Sequence, residues 1–234
     1  MDWLLRMNNV LVVILSFAKD KSYQDMTQNT INTLHEADQN YSFDVIVVET
    51  NQDDNIRYDR SGIIKPSESF NYSKFNNIGI KALLDKNENF EYVILSNNDI
   101  IFHQNWFNNI KYAMEVHGLD SASPRTINWD RHNNTPEIDF GWNIGGQFSG
   151  WLTVYRKQAL LDIYPFPEEF LFWQEDDYRA YRGKQEGHAH ALIRSSNITH
   201  LLNKSHGLFP ENEKNKYLSG NLMDQVIRKQ KDNG

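Results

Sequence analysis

The stretch Tyr92-Val93-Ile94-Leu95-Ser96-Asn97-Asn98-Asp99-Ile100-Ile101-Phe102 decides how the rest of this chain is read. An apolar run rich in β-branched residues reads as a buried strand. It breaks on two amides and a lone carboxylate, then resumes apolar. A strand ending this way sets an oxygen-rich cluster at its carboxyl end, the edge of an open α/β sheet where ligands bind. Two readings of that cluster stand side by side. Asp99 can hold a hard divalent cation and, through it, a diphosphate. Alternatively, Asn98 and Asp99 only satisfy backbone groups of a polar turn.

Working outward, the first half alternates strand and helix. Val10–Ser16 is a buried strand, and Ser22–Glu36 a helix with Met26, Thr30 and Leu34 on one face. Phe43–Glu49 is a second buried strand, followed by a polar loop over residues 50–69. Phe75, Ile78, Gly79, Ala82 and Leu83 then fall at helical spacing. A helix from about Asn105 to His117 follows the central strand. This β-α-β-α-β-α order implies right-handed crossovers, a mainly parallel central sheet flanked by helices, and a nucleotide-sized crevice at its carboxyl edge.

The second half changes character. Residues 125–146 lack a sustained period and carry Arg125, Trp129, Arg131 and Trp142, which reads as a mobile acceptor-side lid or, alternatively, as an ordinary surface excursion. Gln147–Tyr155 alternates like a strand, Glu175–Glu186 can form a helix, and Ala189–His200 reads as two short strands. Leu218, Leu222 and Val226 suggest a last amphipathic helix. With no repeats and no Pro-, Gly- or Ser-rich linker, one domain over residues 1–207 is expected, its nucleotide half about 9–103 and its acceptor half about 119–207. A helical tail, 208–234, should pack on it.

Composition narrows the function classes. A 234-residue chain with 39% hydrophobic and 13% aromatic residues buries a substantial core rather than staying disordered. The absence of cysteine excludes disulfides, thiol catalysis and cysteine-type zinc sites, and fits a reducing compartment. The apolar run Val10–Leu15 is too short to span a bilayer and closes on Lys19-Asp20-Lys21, so a soluble, cytoplasmic protein is expected. The formal charge of −7 argues against a non-specific grip on polyanions, although Lys204, Lys214, Lys216, Arg228, Lys229 and Lys231 give the tail a basic lean.

Three strand ends should converge: Ser16-Phe17-Ala18, Glu49-Thr50-Asn51 and Asn97-Asn98-Asp99. A carboxylate at Glu49 can accept from the N3–H of uracil or thymine, or can be merely a solvated strand end. Glu175-Asp176-Asp177 opens a helix behind Phe172-Trp173. Acidic residues suit a first helical turn, yet crowded carboxylates beside aromatics also raise a pKa, which is how a general base is tuned. His200, Lys204 and His206 downstream fit a site handling metal and phosphate.

The order of these parts resembles the inverting, GT-A-fold glycosyltransferases of family 2, over roughly residues 9–207. The matching parts are the strand ending at Glu49, the helix containing Phe75-Asn76-Asn77-Ile78-Gly79-Ile80, Asn97-Asn98-Asp99 in place of Asp-X-Asp, the Glu175-Asp176 helix start, and the strand ending at His200. The resemblance implies a nucleotide-sugar donor (UDP- or dTDP-sugar) held by Ser16, Phe17, Ala18, Glu49, Asn76, Asn97 and Asn98. It implies Mg²⁺ or Mn²⁺ on Asp99 and His200, with Asn97 replacing one acidic residue of the motif. Asp176 resembles the catalytic base, with Asp177 and Glu175 beside it. Trp129, Trp142, Trp151, Trp173 and His206 are acceptor-side candidates for a glycan or a hydroxylated nucleobase in DNA. Two alternatives remain: a nucleotidyltransferase acting on sugar phosphates, which the glycine-free Ser16–Asp20 loop counts against, and a catalytically weak nucleotide-sugar-binding module.

Overall fold

The computed structural model describes residues 9–86, 89–171, 174–201 and 222–232. Its chain runs β1 (Asn9–Ser16), α1 (Lys21–Ala37), β2 (Ser42–Glu49), β3 (Gly62–Ile64), α2 (Tyr72–Lys86), β4 (Tyr92–Asn97), β5 (Ile100–Phe102), α3 (Trp106–His117), β6 (Ser121–Thr126), β7 (Ile138–Phe140), β8 (Leu152–Arg156), α4 (Lys157–Ile163), α5 (Glu175–Gln185), β9 (His190–His200) and α6 (Leu222–Asp232).

One mixed sheet carries the fold, in the order β3-β2-β1-β4-β8-β6-β9-β5, with β7 also on β9. The first half is parallel, as its alternation demands: β1 pairs β2 and β4, and β2 pairs β3. The second half is not uniformly parallel. β8 is antiparallel to both β4 and β6, and β5 and β7 run antiparallel to β9. Helices cover both faces, and two apolar clusters separate cleanly by strand pleat. Val10, Val12 and Ile14 face the α1 and α3 side, while Leu11, Val13 and Leu15 face α2 and α4.

Local chemistry explains the helix ends. Asp20 caps α1 by accepting from the amides of Ser22 and Tyr23. Gly118, at φ 62°, closes α3 by donating to the carbonyl of Met114. α2 lies close on the sheet because Gly79 has no side chain; a Cβ there would fall 2.5 Å from Val13 Cγ1.

Several expectations need correction. Residues 190–200 form one strand rather than two, because β6 pairs along it in two registers with an irregularity at Pro124/Arg125. The polar loop 50–69 contains β3, and the strand expected from Gln147 begins only at Leu152. The segment 125–146 is not structureless: it holds the end of β6, a 3-10 turn at Asp130–His132, and β7. On α1 the buried face is Thr27, Thr30, Ile31 and Leu34, with Met26 at its margin. Val226 of α6 packs on Phe170 and Tyr178. No helix among the described residues is long and apolar enough to cross a membrane.

Register places the site. Ser16 is level with Glu49, and Leu15 with Asn97, so three parallel strands finish together. Ile100 faces His200 across the β5–β9 pair, and the amide of Leu201 donates to the carbonyl of Asp99 at 2.9 Å. Asp99 and His200 are thereby brought side by side from distant parts of the sequence.

Candidate active site

The first two strand ends are tied to each other. Glu49, fully buried, accepts at Oε1 from the amides of Ala18 (3.0 Å) and Asn51 (2.8 Å), and at Oε2 from the Tyr58 hydroxyl (2.7 Å). Burial, reinforced by Glu49, raises the Tyr58 phenol well above its ordinary range, so it remains a donor. Glu49 therefore holds the β1 and β2 loops and offers no exposed oxygen to a base; the expected contact with a pyrimidine N3–H is corrected. Ser16 turns inward too, with its Oγ 2.9 Å from Thr27 Oγ1 and 3.2 Å from the Tyr58 hydroxyl. Asn98 donates to Thr27 Oγ1 at 2.9 Å, and its backbone carbonyl accepts from Thr30 Oγ1 at 2.7 Å. Asn76 is buried on α2 and donates back to the Tyr72 carbonyl. These three side chains support the crevice from behind instead of lining it. Of the residues expected to meet the nucleotide, Phe17 keeps an exposed ring, and buried Ala18 contributes its backbone.

The third strand end is different. Asp99 Oδ1 lies 3.1 Å from His200 Nε2, and both residues are buried. Among the described residues, Asp99 Oδ1 has no other polar partner, and His200 Nδ1, the ring nitrogen turned away from it, has no hydrogen-bond partner. Asn128 clamps the His200 backbone, donating to its carbonyl (2.7 Å) and accepting from its amide (3.2 Å). A buried carboxylate oxygen without a hydrogen-bond partner, next to an imidazole, is a donor set that fits a divalent cation. No group of three ligating side chains occurs among the described residues, so the remaining ligands of such an ion would come from diphosphate and water.

Asn97 reaches toward the other side of the crevice. Its Oδ1 accepts from the Tyr72 hydroxyl (3.1 Å), whose pKa burial raises strongly, and its backbone amide donates to the Trp151 carbonyl (2.9 Å). The turn before β8 touches α5. An added Cβ on Gly150 would fall 2.7 Å from Asp176 Oδ2, so the glycine backbone itself forms the wall against that carboxylate. Asp176 is half-buried and its Oδ1 accepts from the Asp177 amide; Asp177 is exposed, and partial burial and then the Asp176 charge raise its pKa.

Glu175 takes a structural role. It is buried, with Oε1 2.8 Å from Arg179 Nε. Burial lifts its carboxyl to about 7 against the pull of Arg179. Arg179, also buried, donates from Nη2 to the Gly150 carbonyl at 3.1 Å. The pair thus fastens the Gly150 turn to α5. Nothing in the sequence separates these two residues from ordinary helix charges except their i, i+4 spacing.

The aromatic candidates divide. Trp151 stacks on His200 (5.1 Å between centroids, 20° between planes), meets Trp129 edge-on, and donates from Nε1 to Thr126 Oγ1 at 3.0 Å. Trp129 donates to the Gly145 carbonyl. Trp142 is packed among Phe148, His190 and Gly183, where a Cβ would fall 2.2 Å from its ring. It is partly buried and bridges the turn and α5. Trp173, Lys204 and His206 lie outside the described residues.

No protein-family model and no curated protein matches the chain. Among solved structures, the crystal structure of S. aureus TarS (residues 1–349), a GT-A-like family 2 glycosyltransferase, superposes with a TM-score of 0.57 over 81% of this chain, at 15% identity. The fold is of the GT-A type. The chain spans 59% of the length of that structure. In GT-A terms, the Asn97–Asp99 turn stands at the carboxyl edge of the sheet, with His200 on one side and the Gly150–Asp176 contact on the other.

Proposed function

We propose that the chain is an inverting glycosyltransferase that moves a sugar from a UDP- or dTDP-sugar to an acceptor hydroxyl. The observation that carries this reading is the continuous set of contacts joining Asp99 and His200 to Asp176 through Trp151 and Gly150. A pair able to ligate a cation and a candidate base on one GT-A crevice are what a displacement at an anomeric carbon requires.

In this reading Asp176 accepts the proton of the acceptor hydroxyl as its oxygen attacks the anomeric carbon from the face opposite the diphosphate. Such a base contributes about 10²–10⁴-fold. Gly150 fixes where the Asp176 carboxylate stands, and Asn97, held by Tyr72, lies between the two ends of the site. Asp99 and His200 would hold Mg²⁺ or Mn²⁺, which supplies charge neutralisation for the leaving diphosphate. The acceptor is a saccharide hydroxyl or that of a hydroxylated nucleobase.

A catalytically weak nucleotide-sugar-binding module is the second reading, favoured by the replacement of an acidic residue with Asn97. One experiment separates the two. UDP-, GDP- and dTDP-sugars are screened for thermal stabilisation with and without Mn²⁺, and the binders are then assayed for metal-dependent sugar release and transfer. Stabilisation by a pyrimidine nucleotide-sugar, with turnover that Asp99→Ala loses, supports the enzyme. Binding without turnover supports the module, and no binding by any of them rejects both.

A further inference from the structure

We infer that Trp151 is a positioning residue for the Asp99–His200 pair: its indole, stacked on the His200 imidazole and pinned by Thr126, fixes the ring plane in which His200 meets a divalent cation. The inference rests on the proposed metal role of that pair.

A histidine that ligates a metal almost always donates its other ring N–H to a carboxylate, a carbonyl or water, and that bond sets the ring's orientation. Among the described residues, His200 Nδ1 has no such partner. Its backbone is held by Asn128, but a held backbone leaves the side-chain torsions free. Among the described residues, Asp99 Oδ1 meets one edge of the ring at 3.1 Å, and the group that lies along its plane is the indole, at 5.1 Å and 20°. That plane is itself over-determined. Trp151 Nε1 donates to Thr126 Oγ1, its carbonyl accepts from the Asn97 amide, Trp129 meets it edge-on at 5.5 Å, and the His132 ring lies 6.2 Å away at 33°. His132 is in turn buried between the Thr126 amide and the Gly146 carbonyl. Segment 125–132 therefore acts as a buttress for His200, and stacking does the orienting that a hydrogen bond does elsewhere.

The test uses the intact protein, MnCl₂ as the probe, and the ring-proton NMR signals of His200. In the wild type those signals should be shifted upfield by the Trp151 ring current and be among the first broadened as Mn²⁺ is added. Trp151→Phe retains a stacking ring and should keep both properties, with the broadening midpoint within about threefold of wild type. Trp151→Leu should return the signals to unstacked positions and raise the midpoint by about 10-fold or more, the usual effect of losing an orienting partner. Thr126→Val, which removes only the pin on the indole, should give an intermediate shift and keeps the test decisive if Trp151→Leu does not fold. Unchanged Mn²⁺ broadening in Thr126→Val and in a folded Trp151→Leu overturns the positioning role alone. Stacked His200 signals that Mn²⁺ leaves untouched in the wild type overturn the metal reading, and the positioning role with it.

Discussion

Glu49 and Asp99 both stand at the carboxyl ends of strands in the same sheet, one strand apart from β1 on either side, yet they face opposite tasks. Glu49 has three donors from its own chain and no exposed surface. Asp99 has an oxygen with no hydrogen bond among the described residues and an imidazole at 3.1 Å. The difference lies in the segment that each strand leads into. After β2 the chain's own turn presents the Asn51 amide to the carboxylate, and the β1 loop presents the Ala18 amide. After β4 it enters β5, which pairs antiparallel with β9 and delivers His200 instead of amides. A carboxylate at a strand end is thus tied down by backbone amides or set beside an imidazole according to the segment that follows, and sequence position alone does not distinguish the two.

The largest expected effect tests the functional side of this contrast. Asp176→Asn should lower the rate of transfer by about 10²–10⁴-fold and leave donor affinity unchanged, as loss of a base requires. Asp177→Asn, at an exposed carboxylate, should stay within a few-fold. Gly150→Ala forces its Cβ toward Asp176 Oδ2 and should cost about 10²-fold, the scale of a 1 Å misplacement, with little change in stability. Steady-state transfer and calorimetric donor binding on the same samples check all three. If Asp177→Asn takes the large loss and Asp176→Asn does not, the base lies one residue further along α5.

The legibility of the molecule divides along the same line. β1, α1, β2, α2, β4 and α3 are readable because apolar runs and 3.6-residue periods mark buried parallel strands and their crossover helices. The second half hides β7, the single long β9 and the brief α4, since short antiparallel elements owe their existence to partners far away in sequence. Asp99, His200 and Asp176 are visible as polar residues at element ends. Gly150 and Arg179 are not: one acts by having no side chain, the other through a carbonyl it holds. Glu49, Ser16, Asn76 and Asn98 turn away from the crevice for a reason the sequence does not carry. Polar residues at a crevice edge look alike in sequence whether they point at the ligand or at the loop behind it.

An intermediate effect tests the anchoring side. Glu49→Gln replaces one acceptor oxygen with a donor that faces either the two backbone amides or the Tyr58 hydroxyl, which must then turn toward Ser16 and leave the charge-assisted bond unmade. A buried donor left unsatisfied costs about 1–3 kcal/mol, so urea unfolding should show a loss of that size. Mn²⁺ binding at Asp99 should be little affected, because the β4–β5 turn does not use Glu49. A stable Glu49→Gln with weakened nucleotide binding would return Glu49 to the ligand and erase the contrast.

The smallest effect is a pH slope, and it comes from two buried groups of opposite sign. Burial lowers the His190 pKa to about 3, while the Gln147 carbonyl partly opposes it; its Nδ1 lies 2.8 Å from Ser121 Oγ. The folded state keeps His190 neutral where the unfolded chain would protonate it. Its stabilisation is therefore present above about pH 6.5 and is lost as pH falls toward about 3, at about 1.4 kcal/mol per pH unit inside that window. Glu175 works in reverse. With its folded carboxyl raised to about 7, its contribution is full below the ordinary glutamate value and is lost as pH rises toward 7. The two slopes partly cancel between about pH 5 and 6.5, which should leave the wild type nearly flat there. His190→Gln should unmask a stability that falls with rising pH, and Glu175→Gln one that falls with acid by about 2 kcal/mol between about pH 6.5 and 5. Urea unfolding at pH 5, 6 and 7 for the three proteins resolves the signs. If Glu175→Gln leaves the profile of the wild type unchanged, the carboxyl is held ionised by Arg179 throughout, and the fastening of Gly150 to α5 is a full ion pair from pH 5 to 7.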